Sequence, residues 1–185
     1  FKRLRLRGLG GVELITSDDH GGIKSAVAKY FSGAAWQRCW VHFMRNMMKH
    51  VPRKQRGELA ADLRTIIRAE NIEKARSNLE NVVTKWEARR PRLARLIEEA
   101  VEECLNIFSI CPEHRRRVYS SNVLERAHKE LKRRSRVVGI FPNEASVMRL
   151  LGTQLVELHE KWQSQKRVYL DMSYRKLYKE VEVVA

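Results

Sequence analysis

Apolar positions along this chain change period several times. Val12-Glu13-Leu14-Ile15-Thr16, entered through Gly8, Gly10 and Gly11, has the composition of a short strand. Ser17 to Gly22 is a polar turn. Ile23, Ala26, Val27, Tyr30 and Phe31 then recur three and four apart, which predicts a helix stopped by Ser32-Gly33. Ala35 to Trp40 predicts a second strand. It passes into a helical stripe of Val41, Met44, Met47, Met48 and Val51 that ends at Pro52. Three more amphipathic helices follow. One carries Leu59, Leu63, Ile66 and Ile67, and the next Ile72, Ala75, Leu79, Val82, Val83 and Trp86. The third begins after Pro91 and carries Leu93, Leu96, Ile97, Ala100, Val101, Cys104, Leu105 and Phe108. The stretch from about 53 to 110 therefore reads as an all-helical module. Glu125 begins a basic helix with Leu124, Ala127 and Leu131 on its packed face. Val137 to Phe141 is extended or a turn. Asn143 caps a last long helix with a buried stripe of Val147, Leu150, Leu151, Leu155, Leu158 and Trp162. Residues beyond about 168 are expected to be peripheral.

Composition narrows the class. The chain has 185 residues, 43% of them apolar, enough for a packed core despite 32% charged residues. Its net charge of +15 points to a polyanion, most often nucleic acid. Three cysteines, Cys39, Cys104 and Cys111, argue against a disulfide framework and for a reducing compartment. No apolar run approaches the roughly 20 residues of a membrane span, so no membrane partner is expected. The basic start, Phe1 to Arg7, lacks the apolar core of a secretory signal, and its first residue is not Met, so a fragment or excised domain is expected.

Two carboxylates stand out. Asp18 and Asp19 follow the first strand, where a rigid element opens to solvent and catalytic groups commonly sit. Adjacent residues on extended backbone point oppositely, so one of the two can face a shared site, and Asp18 is the choice. Both also fit a solvated turn or a helix cap. Glu125 shares a helix face with Lys129, Lys132 and Arg136. An ion pair with Lys129 accounts for Glu125 alone. It leaves unexplained six basic residues from Arg126 to Arg136 against one further acid, Glu130, an excess suited to phosphates. Cys39-Trp40-Val41-His42 has a Cys-x-x-His spacing, yet a structural zinc needs about four ligands and no further pair stands at a recognisable spacing. A buried structural pair near the site is the better reading.

Three segments resemble, in order, the Mutator-type transposases of bacterial insertion sequences. Ile15 to Lys24 is similar to the family's second-aspartate motif, and Trp36 to Asn46 to its Cys-x-x-His block. Asn122 to Arg126, continuing through Lys132 to Glu144, is similar to its glutamate block. The resemblance implies a helix-dominated α/β fold, a partial ribonuclease-H-like catalytic core interrupted by an all-helical insertion. It divides the chain into core (1–52), insertion (53–112), core helices with the glutamate (113–167) and a C-terminal tail (168–185). It implies Asp18 and Glu125 as the second and third members of an Asp-Asp-Glu triad and Cys39 with His42 as the family pair. The cofactor implied is two Mg²⁺ (or Mn²⁺) ions that cut and rejoin DNA strands.

The implied partners are double-stranded DNA, both element ends and target, and further copies of the full-length protein, in the bacterial cytoplasm at the nucleoid. Lys129, Lys132, Arg133, Arg134 and Arg136 would grip backbone phosphates. Trp86 is either core or a platform for an unpaired base. Asp19 and Gly21 stand where the family usually has a small residue and Glu, and Ser121 where it usually has Thr. No Asp precedes Asp18, so the first acid of the triad is missing. The chain alone is therefore expected to lack cleavage activity, to expose a strand edge and to expose apolar surface. The alternatives are a non-catalytic basic DNA-binding protein, such as a decayed transposase copy, and an RNA-associated helical protein.

Overall fold

A computed structural model describes residues 1–164 and 168–174. They fall into two compact units, one of residues 1–121 with 172–174, the other of residues 122–164 with 168–171. The architecture is α/β and dominated by helices.

In the first unit, a short helix α1 (Lys2–Leu6) precedes strand β1 (Leu14–Ser17), helix α2 (Gly21–Tyr30) and strand β2 (Ala35–Arg38). The strands are parallel, with Leu14 opposite Ala35 and Ser17 opposite Arg38, and α2 makes the crossover that parallel pairing requires. His20 caps α2, its Nδ1 accepting from the Gly22 N–H at 3.1 Å. β1 begins two residues later than the sequence pattern suggests. Gly11, at φ +63°, still turns the chain just before it. Among the described residues β1 pairs with β2 alone, which leaves its other edge unpaired.

β2 stops at Arg38 because Cys39 leaves the extended direction and opens α3 (Trp40–Met48). A 3-10 turn over Arg53–Gln55 leads into α4 (Arg56–Ile67), α5 (Ile72–Glu87) and α6 (Pro91–Leu105). Asn71 caps α5, accepting from the Lys74 N–H at 2.8 Å. Pro91 occupies the first turn of α6, where its missing N–H costs nothing. One continuous core joins α3 to this helical block: Trp40, Phe43 and Met47 pack with Leu59, Leu63, Trp86, Ile97 and Val101. The block is tied to β2 as well. Gln37 Nε2 donates to the Cys104 carbonyl at 2.8 Å, and Asn106 Nδ2 donates to the Trp36 carbonyl at 2.7 Å.

Trp86 is fully buried, its Nε1 donating to Asp62 Oδ2 at 2.8 Å. That closes it to a DNA base and corrects the platform reading: its ring belongs to the core. Beyond a second 3-10 turn (Asn106–Ser109), a helix that the apolar pattern does not announce, α7 (Pro112–Val118), carries Arg115, Arg116 and Arg117. Arg115 donates to the carbonyls of Phe108, Glu70 and Ile110, stitching the chain's return to the block.

The second unit is a helix pair, α8 (Asn122–Val138) and α9 (Glu144–Ser164). Gly139, at φ +73°, ends α8, so Val137 is helical rather than extended. Asn143 caps α9 as expected, accepting from the Ser146 N–H at 2.9 Å. The buried faces differ from the sequence pattern. Leu124 is 60% exposed, Leu155 49% and Trp162 48%, so only part of each stripe finds cover. Ala127 is buried, and Val147, Leu150, Leu151 and Leu158 are half-buried. Of the expected tail, Tyr174 sets its ring edge-on to His114, while residues 175–185 lie outside the described residues.

Candidate active site

The turn after β1 sends its two aspartates apart. Asp19 enters a ring of alternating charge. It lies 2.7 Å from Lys24 and 3.2 Å from Arg38, and Glu103 of α6 bridges the same two cations. The hydrogen bond from Lys24, then the charge of Arg38, holds the Asp19 carboxyl below the usual carboxylate range against a desolvation effect of opposite sign. Hydrogen bonds to Asp19 and Glu103 raise Lys24 above the ordinary lysine value. Local sequence reading did not single out Glu103, because its partners lie 65 and 79 residues away.

The ring has a pH signature. A carboxylate lowered by folding contributes stability that is complete above its unfolded pKa and is lost as pH falls through the folded one. Asp19→Asn is therefore expected to flatten the acid limb of the stability–pH profile below about pH 4. At pH 7 its effect should stay small, since the pair is partly solvated. Chemical denaturation across pH 2–7 measures it, and an acid limb as steep as that of the unmodified chain would count against the ring.

Asp18 turns the other way. Its side chain is 56% exposed, and its Oδ1 lies 2.7 Å from His42 Nδ1. The same ring nitrogen is 3.2 Å from the Cys39 sulfur, so aspartate, cysteine and histidine converge within 4.8 Å. Cys39 is fully buried at the start of α3, which places His42 in the first turn of that helix, facing β1. The Ser121 N–H and Oγ–H both donate to the Cys39 sulfur at 3.4 Å. Sequence spacing pairs Cys39 with His42 but does not bring in Ser121, 82 residues from the cysteine. Burial pushes the Cys104 thiol well up and raises that of Cys111.

In the second unit, Glu125 sits half-buried in the first turn of α8. Lys129, Lys132, Arg133, Arg134 and Arg136 are all exposed along that helix. Glu130 occupies two of them, Arg133 at 2.6 Å and Arg134 at 3.4 Å, and the Arg133 hydrogen bonds pull its carboxyl down to about 2. Among the described residues, Lys129, Lys132 and Arg136 carry no such internal pairing, which makes them the cations most open to an external anion.

Sequence comparisons give the family. Residues 1–165 match the family model described as "Transposase, Mutator family", and the chain belongs to that family. It is 42% identical over 170 residues to the transposase for insertion sequence element ISRM5 of Rhizobium meliloti, covering 92% of this chain and 42% of that protein. It is 39% identical to the IS406 transposase of Burkholderia multivorans, over 94% of this chain and 45% of that one. It is 31% identical to the IS256 transposase in transposon Tn4001 of Staphylococcus aureus, over 92% and 44%. The chain thus spans less than half the length of these relatives. No helix among the described residues is long and apolar enough to cross a membrane.

Proposed function

We propose that this chain is the later part of a DNA transposase's catalytic core, and that Asp18 and Glu125 are two of the carboxylates that hold its metal ions. The observation that carries this reading is the placing of Asp18. It stands at the end of β1, open to solvent on one side and held by His42 on the other. Both side chains offer the hard oxygen donors that Mg²⁺ or Mn²⁺ prefers, so the residues fit the ions. With a further acid from a longer chain, Asp18 and Glu125 would hold two such ions, whose charge would favour ionisation of water or of a DNA 3′-hydroxyl and would stabilise the leaving oxygen. Their core would be the ribonuclease-H-like arrangement, of which β1, α2 and β2 are a parallel βαβ portion.

The protein's own groups do the rest. Asp18 keeps a fixed carboxylate orientation through its 2.7 Å contact with His42. Lys129, Lys132 and Arg136, with Arg133 and Arg134, neutralise phosphates of the DNA backbone and position the duplex without reading its sequence. The substrate is the double-stranded end of an insertion sequence and its target, handled by an assembly of identical full-length subunits.

Electrostatic positioning gives a direct test. Lys129→Ala, Lys132→Ala and Arg136→Ala together should weaken duplex binding evenly across sequences. They should also lower the slope of log affinity against log salt by roughly 2 to 3, about 0.9 for each phosphate no longer neutralised. Fluorescence anisotropy of a labelled duplex in graded salt measures both, and an unchanged slope would remove α8 from the DNA interface. The exposed basic face also suits a second reading, a DNA-binding protein without catalysis. Strand cleavage in Mg²⁺ by a version extended upstream, lost on Glu125→Gln, separates the two: metal-independent binding with no cleavage favours the second.

A further inference from the structure

The Cys-x-x-His pair has a task that the metal chemistry alone does not assign. A carboxylate is acceptor-only, so the 2.7 Å approach of His42 Nδ1 to Asp18 Oδ1 requires a hydrogen on Nδ1. The sulfur of Cys39, 3.2 Å from the same nitrogen in hydrogen-bond geometry, shares that hydrogen as an acceptor. It is fixed in turn by two donors of Ser121. Nδ1 of His42 and Oδ1 of Asp18 stand closer than two ligands on one tetrahedral ion. Nitrogen and oxygen ligands at 2.0–2.1 Å from zinc stand roughly 3.4 Å apart, well beyond the observed separation.

We propose that His42 is a positioning residue for Asp18: its Nδ1–H holds one carboxylate oxygen, leaving the other to face the metal, while Cys39, anchored by Ser121, fixes the imidazole. This rests on the reading of Asp18 as a metal ligand. Partners of this kind orient the ligand, and their loss typically costs 10–100-fold in metal affinity or activity. The arrangement also links segments. Ser121 lies 82 residues from Cys39, so the sulfur fastens a distant stretch of the first unit as well as the imidazole.

Two measurements test it. In the chain as it stands, nitrogen-15 spectra of the histidine rings should find His42 carrying its proton on Nδ1, with that signature lost in Asp18→Ala. A proton-free Nδ1 in the unmodified chain would overturn the proposal. In a version extended upstream to the length of its relatives, His42→Ala should raise the Mg²⁺ needed for half-maximal cleavage about 10–100-fold. His42→Asn, which sets an amide N–H near the place of Nδ1, should recover most of the loss, and His42→Gln should not. All three should unfold at nearly the same temperature. An unchanged Mg²⁺ requirement in His42→Ala, while Asp18→Asn abolishes cleavage, overturns the positioning role and leaves the metal reading intact. Full cleavage by Asp18→Asn removes both. A thiolate-to-metal absorption band on adding Co²⁺, absent from Cys39→Ser, would also overturn the proposal by making the cluster a metal site.

Discussion

Asp18→Asn and Glu125→Gln should each reduce strand cleavage by roughly a thousandfold in a chain extended to the length of its relatives, with DNA binding little changed. Each replacement keeps size and hydrogen-bonding capacity and removes a negative charge. A metal held at a reacting phosphate supplies several kcal/mol of charge stabilisation in the transition state. Losing about 4 kcal/mol of it corresponds to about three orders of magnitude in rate. Asp19→Asn is the internal control. Its carboxylate is held by Lys24 and Arg38, so cleavage at pH 7 should stay within a few-fold of normal. Gel analysis of end cleavage in Mg²⁺, beside duplex binding without metal, reads both quantities. Equal loss in Asp18→Asn and Asp19→Asn would mean that the turn matters as a whole and that Asp18 has no separate role.

The largest effect on stability should come from Trp86→Ala. The indole is fully buried in the core of the helical block, and its N–H serves Asp62, a carboxylate 19% exposed that also receives Lys85 at 2.8 Å. Truncating a core tryptophan costs about 3–5 kcal/mol, a large share of the 5–15 kcal/mol that holds a typical domain together. Trp86→Phe keeps one aromatic ring but loses the pyrrole part of the indole with its donor, so its cost should lie below that of Trp86→Ala yet include the hydrogen bond to a charged group, about 1.5–3 kcal/mol. Urea unfolding followed by far-ultraviolet circular dichroism gives both values. A loss below about 1 kcal/mol in Trp86→Ala would contradict the packing described for α4, α5 and α6.

Periodicity reads the helical block well because each helix buries one side, and apolar residues three and four apart leave little choice of face. Leu59 and Leu63 of α4 are buried as their spacing suggests, and so are Leu79 and Val82 of α5 and Ile97 and Val101 of α6. Where burial is thin, the pattern says less. The seven residues of α7 hold three arginines and no stripe, and the helix is placed by its arginine-to-carbonyl bonds, which spacing does not reveal. In α9 the stripe is real as a pattern, yet Leu155 and Trp162 stay open. Hydrophobic spacing names a face without saying what covers it.

The candidate site divides similarly. A strand-end carboxylate and a Cys-x-x-His spacing are local features, visible along the sequence. Which aspartate meets His42, and which meets Lys24, depends on the direction of the chain leaving β1 and on Glu103 reaching in from α6. Ser121 reaches Cys39 across 82 residues, a partnership that no local pattern encodes.

That long reach has a consequence for how the chain tolerates change. Thr16 Oγ1 donates to the Val118 carbonyl at 2.6 Å, and the Trp40 N–H donates to the Tyr119 carbonyl at 3.0 Å. With the bonds from Ser121 to the Cys39 sulfur, these close a buckle across the two ends of everything between α3 and α7. A segment buckled at its base behaves as a cassette. Its turns can lengthen without moving the two stems, because doubling a flexible loop costs only about 0.6 kcal/mol in entropy, while the packed faces of α4, α5 and α6 must stay as they are. Inserts in the turns between α4, α5 and α6 should therefore leave Asp18 and His42 in place, whereas a change of one residue at the buckle would disturb both.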